Sequence, residues 1–147
     1  MSPLRAVFVL LLPLALSAGC PPVGDDDDDV SDCTSDNRPT LSIVSPDTGA
    51  IFNSGDSINW ALTITDPDTE PADLDVLVQD VTGSTADDLD VTVPTPGPTG
   101  QTTFSMDADM LDSGAPTPVR IIVQDPDGCS ANDQILICVD YDEPPCG

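Results

Sequence analysis

The chain has 147 residues and carries 27 Asp and Glu against 3 Lys and Arg, for a formal net charge of −24, with no histidine. Its three cations are Arg5, Arg38 and Arg120, so lysine is absent as well. That balance excludes a nucleic-acid-binding role, because phosphate recognition draws on clustered Lys and Arg, and it disfavours attraction to anionic lipid headgroups.

In chain order, Met1 to Gly19 reads as an export signal. The single charge Arg5 is followed by the apolar run Ala6 to Leu16, interrupted only by Pro13. The run falls short of the about 20 apolar residues that cross a bilayer as a helix. It ends in Ser17-Ala18-Gly19-Cys20-Pro21, which predicts a cleaved leader and not a span. The stretch Leu16 to Cys20 resembles the bacterial lipobox. It departs from that pattern in one respect: the family places Leu three residues before the cysteine, where this chain has Ser17. The resemblance implies cleavage before Cys20 and acylation of that residue, with a diacylglyceryl thioether and an amide-linked chain such as palmitate. The expectation is a lipoprotein anchored in a bacterial cell envelope, at the outer membrane or surface, with the bilayer as a partner. Two or three acyl chains hold firmly where one holds reversibly.

Residues 20–38 are expected to form a disordered acidic tether. The run Asp25 to Asp29, with Asp32 and Asp36, leaves almost nothing apolar to bury and repels itself toward extension. The Asp run reads either as a solvated spacer or as a sorting cue. Residues 39–147 suffice for one folded domain.

After Arg38 the pattern turns to short alternating runs separated by turn residues. Thr40 to Val44 is a strand, followed by a turn at Ser45 to Gly49 and a short extension at Ala50 to Phe52. In Ser57 to Thr65, Ile58, Trp60, Leu62 and Ile64 fall on one face and Asn59, Ala61, Thr63 and Thr65 on the other. The alternation returns at Leu74, Val76 and Val78, then at Leu89, Val91 and Val93, and then at Phe104 and Met106. Val119, Ile121 and Val123 continue it, and Ile135, Ile137 and Val139 close it. Asp107 to Asp112 reads as a turn. Strands at this spacing, with Pro and Gly at the breaks, predict an all-β fold: a single antiparallel sandwich of about seven strands. The phase of Trp60 with Ile58 and Leu62 places it in the core and not on a sugar-stacking surface.

If Cys20 carries lipid, Cys33, Cys129, Cys138 and Cys146 remain, and an even count in an exported chain reads as two disulfides. They lack the closely spaced pair of a zinc site. Three connectivities are open.

Asn37-Arg38-Pro39-Thr40, Ile43, Pro46, Gly49, Phe52, Gly55, Ile58 and Asp66-Pro67-Asp68 resemble bacterial immunoglobulin-like (Ig-like) repeats. Val119 to Gly128 is similar to their sixth strand and its hairpin. The resemblance spans most of Asn37 to Asp140 and implies an Ig-like sandwich. Its topology puts the chain's entry and the loop between the sixth and seventh strands at one end, which implies Cys33 with Cys129. Cys138 with Cys146 then completes the preferred pairing.

The same topology would bring Asp66, Asp68 and Glu70 to face Asp125 and Asp127, with Asp36 and Asn37 nearby. Hard oxygen ligands in that number suit calcium, the one candidate cofactor. Asp-Pro-Asp-Gly also meets the needs of a tight turn by itself, and neither loop has EF-hand spacing. Asp107, Asp109 and Asp112 read as a solvated turn. No catalytic residues are assigned, because the chain lacks a His base, a Schiff-base Lys and a nucleophile elbow. The expected function is a non-catalytic binding or adhesion module with a protein or glycan ligand. The alternative is a structural spacer or calcium-stabilised surface domain with no ligand of its own.

Overall fold

In a computed structural model of the chain, residues 33–147 are described. They form eight strands: β1 (Thr40–Ser45), β2 (Ala50–Phe52), β3 (Ser57–Thr65), β4 (Asp75–Asp80), β5 (Asp87–Asp88), β6 (Gln101–Asp107), β7 (Pro116–Gln124) and β8 (Ser130–Val139). Short 3₁₀ turns at Pro71–Asp73 and Ala108–Met110 precede β4 and follow β6.

The strands divide into a three-stranded sheet, β1-β3-β6, and a five-stranded sheet, β2-β8-β7-β4-β5. All pairings are antiparallel except β2 with β8, which run parallel. This is an Ig-like sandwich. Alternation does the work within each strand: Ile58, Trp60, Leu62 and Ile64 of β3 are at most 1% exposed, and Val119, Ile121 and Val123 of β7 are fully buried. Phe104 and Met106 of β6 and Ile137 and Val139 of β8 complete the facing layers. Fully burying each such side chain contributes about 1.5–3 kcal/mol before chain entropy is subtracted. Trp60 lies in this core, its ring stacked on Phe104 with centroids 5.8 Å apart.

Between β1 and β8 the sandwich is closed by a side chain. Asp133 sits opposite fully buried Ile121 and accepts the Ile43 N–H at 3.0 Å, beside the bulge between Ile43 and Ser45. A main-chain donor at an open edge is thereby satisfied.

One expected strand does not form. Leu89, Val91 and Val93 are half-buried against the core, as their alternation requires, but they join neither sheet. Asp87–Asp88 pairs briefly with Gln79 and Asp80, and Leu89 N–H bonds to the Val78 carbonyl at 2.9 Å. Pro94, Pro96 and Pro98 follow, so the chain beyond Val93 lacks the donors to carry a ladder onward.

Cys33 is bonded to Cys129 and Cys138 to Cys146, with Cα separations of 5.4 and 6.2 Å. The first bond pins residues ahead of β1 to the hairpin between β7 and β8. There Arg38 Nη2 also donates to the Cys33 carbonyl at 3.2 Å. The second pins the C-terminal tail over the outward side of β8, where Gly147 N–H bonds to the Gly49 carbonyl at 3.1 Å.

These bonds correct the reading of the chain as a lipid-anchored envelope lipoprotein. The N-terminal-region cysteine that the structure shows, Cys33, is held in a disulfide and is not free for acylation. The leader 1–19, Cys20 and the Asp run lie outside the described residues. Among the described residues no helix is long and apolar enough to cross a membrane. What stands is a disulfide-tied Ig-like domain; the acyl chain, the bilayer as partner and the envelope location are withdrawn.

Candidate functional site

The acidic loop after β3 was the first candidate. Asp66 begins a tight turn: its Oδ1 accepts the N–H of Asp68 at 3.1 Å and of Thr69 at 2.8 Å. Burial opposes ionisation of Asp66, but the main-chain and side-chain hydrogen bonds of Asp68 and then Thr69 outweigh it and hold the carboxyl below its ordinary value. Asp68 shifts the other way. Its carboxyl is raised first by the hydrogen bond it shares with Asp66, then by desolvation, then by the charges of Asp66 and Asp125.

Asp66, Asp68 and Glu70 line a cleft of about 390 Å³ whose other wall is Pro98, Thr99 and Gly100. Asp125, across the end of the sandwich, is buried and turned to its own hairpin, where Oδ1 accepts the Cys129 N–H at 2.8 Å. Asp127 lies in the same hairpin turn. Among the described residues no group of three or more carboxylates or thiols gathers closely enough to hold a metal ion. Asp66 Oδ1 and Asp125 Oδ1 serve turn amides, a conformational role that Asp fills in tight turns unaided.

A second surface is built by the outward face of the five-stranded sheet. In an antiparallel ladder, residues directly opposite share a face. Leu77 of β4 is opposite Ile122 of β7, Gln79 is opposite Arg120, and Pro118 is opposite Leu136 of β8. Pro118, Arg120 and Ile122 alternate with buried Thr117, Val119, Ile121 and Val123, so they point away from the core. The face thus carries apolar side chains on either side of Arg120, Leu77 and Ile122 towards one end and Pro118 and Leu136 towards the other, with Gln79 and Gln134 directly opposite it. Leu77 is 39% exposed, one of three large apolar side chains so exposed among the described residues.

Arg120 bonds to a neutral partner. Its Nε and Nη2 donate to Gln79 Oε1 at 3.2 and 2.8 Å, and Gln79 Nε2 donates onward to Asp88 at 2.8 Å. The guanidinium is therefore braced against Gln79, which links it to Asp88. Asp75 and Asp88, at the margin, are the acids that β4 and β5 turn to this face. The sequence carries a trace of the patch. Ile121-Ile122 and Ile135-Leu136-Ile137 break the alternation, and a break puts an apolar side chain outside.

No protein-family model matches the chain, and no curated protein matches it by sequence. By structure it is similar to the titin M3 domain, at 10% identity over 71% of this chain and 98% of that one, with a TM-score of 0.46. Murine CRIg is similar at 14% identity over 72% of this chain and 99% of that one, with a TM-score of 0.44. A β-glucosidase from Listeria innocua is similar at 16% identity over 69% of this chain but 16% of its own length, with a TM-score of 0.35. At these identities the likeness concerns the fold alone.

Proposed function

We propose that this Ig-like domain is a non-catalytic binding module, and that it recognises a protein or glycan through the outward face of its five-stranded sheet. The observation that carries this reading is the half-exposed apolar patch around Arg120, in a chain whose formal net charge is −24. A spacer gains nothing from apolar surface and loses solubility by it. An arginine flanked along its strand by aliphatic side chains is, by contrast, a composition found at interface centres. Its pre-braced guanidinium suits a carboxylate or carbonyl on the ligand, since Gln79 is a neutral partner that a charged oxygen can outcompete.

The test is to probe immobilised proteins and glycans with the wild-type domain and with the double variant Leu77→Asp/Ile122→Asp. Binding that the double variant loses while its melting temperature holds supports the module. Binding to nothing, or identical binding by both, favours the spacer.

A further inference from the structure

Strand β7 presents Ile122, Arg120 and Pro118 at alternate positions on the outward face of the five-stranded sheet, all three half-buried. The pleat spaces such side chains by two residues, about 7 Å. Leu77 of β4 lies opposite Ile122, and Leu136 of β8 lies opposite Pro118, so a second aliphatic side chain widens each end of the row. Gln79 and Gln134 stand opposite Arg120 on the two neighbouring strands. Along β7 the order is therefore apolar, cationic, apolar.

The cation has donors to spare. Nε and Nη2 of Arg120 donate to Gln79 Oε1, which leaves both N–H groups of Nη1 without a hydrogen-bond partner among the described residues. Arg38, the other cation among the described residues, lies ahead of β1 and donates to the Cys33 carbonyl. Arg120 is thus the one positive charge that the strands of this sheet carry. Asp75 and Asp88 lie at the margin of the face, two positions from Leu77 and opposite Gln79.

An extended peptide repeats the two-residue spacing, because its residues i, i+2 and i+4 line one side. Packed aligned over β7, as the strands of facing sheets pack, it sets those three side chains over Ile122, Arg120 and Pro118. We propose that the ligand is an extended protein segment of the pattern aliphatic-x-acid-x-aliphatic, with its carboxylate on Arg120 and its flanking side chains on the two apolar ends. This rests on the reading of the face as the binding surface. Charge complementarity fixes the acid at the centre, and Asp75 and Asp88 disfavour further acids at the flanks. The apolar positions are Leu, Ile and Pro, with no aromatic ring among them for a sugar to stack on, which favours a peptide over a glycan.

NMR titration of the full, oxidised chain with blocked peptides tests this. The peptide Ser-Leu-Thr-Glu-Thr-Leu-Ser should shift the amides of β4, β7 and β8 around Arg120. Replacing its Glu by Gln should weaken binding at least about tenfold, because the charge-assisted bond is lost. Moving the Glu by one position, to the side opposite the two Leu, should weaken it to a similar extent. Neither change touches the protein. Arg120→Glu should reverse the preference, so that a Lys-centred peptide is held over the Glu-centred one; if that variant does not fold, the peptide series decides alone. No shifts at peptide concentrations up to about 10 mM, equal affinity for the Glu and Gln peptides, or indifference to the position of the acid overturns the proposal. A glycan or a peptide of another pattern that is held at this face and released by Leu77→Asp/Ile122→Asp overturns the proposal while the binding module stands. A ligand unaffected by that double variant overturns both.

Discussion

Cys33 and Cys129 stand 5.4 Å apart at their Cα atoms and 96 residues apart in sequence, so one bond ties the chain's entry to the hairpin between β7 and β8. Cys138 and Cys146 are separated by only 8 residues. In the chain-entropy account, closing the long loop stabilises by about 4.7 kcal/mol and the short one by about 2.5 kcal/mol. The double variant Cys33→Ser/Cys129→Ser should therefore lower the melting temperature by roughly twice as much as Cys138→Ser/Cys146→Ser, measured by calorimetry.

Gly100 makes a tight approach at the start of β6. Its φ is +72°, and a Cβ there would sit 1.8 Å from the Ile64 carbonyl oxygen, the main chain of the neighbouring strand. Gly83 has a similar φ of +78° with nothing within 4 Å. Gly83→Ala therefore incurs only backbone strain, about 1–2 kcal/mol, whereas Gly100→Ala also displaces β3 from β6 and costs well over about 2 kcal/mol. Urea unfolding of the two variants measures the difference.

Asp140 has a positive φ of 51° and accepts hydrogen bonds from the side chain and main chain of Ser54. The Ser54 bonds, side chain first, hold its carboxyl below the ordinary 3.8. A depressed carboxyl contributes stability that is complete above its ordinary value and is lost as pH falls through the lower, folded one. Ser54→Ala should raise the Asp140 titration midpoint in NMR. Stability above the ordinary value should fall, and its decline on acidification should become shallower.

The loop acids should not gain from calcium. Asp66 and Asp125 each commit an oxygen to turn amides, and no group of three ligating side chains forms among the described residues. Calcium at about 1 mM, enough for the weak sites of extracellular modules, should leave the melting temperature unchanged. A rise of several degrees would restore the cation site expected from sequence.

The inward face of the sandwich was legible because strand periodicity is strict. Ile58, Trp60, Leu62 and Ile64 announce a buried face in any partner context. Which strands pair was not legible, since register depends on contacts distant in sequence. Leu89, Val91 and Val93 show the limit: alternation places side chains against a core, but it does not by itself bring a segment into a hydrogen-bonded ladder. The apolar patch escaped because its residues come from three strands and meet only through register. The calcium cluster was drawn from two loops, and the sequence alone does not show that Asp66 Oδ1 accepts the amides of its own turn. The lipid reading leaned on a few residues at Cys20; the N-terminal-region cysteine that the structure shows serves the fold instead.

The most direct test of the binding module compares three forms of the domain on immobilised proteins and glycans: wild type, Leu77→Asp/Ile122→Asp, and Thr63→Asp on the opposite sheet. Thr63 faces outward from β3 and serves as a control for an acid placed on the other sheet. The account predicts a ligand retained by wild type and Thr63→Asp and weakened at least about tenfold by the Leu77 and Ile122 changes, as expected when charge enters an interface centre. Equal binding by all three forms, or loss with Thr63→Asp alone, would contradict it.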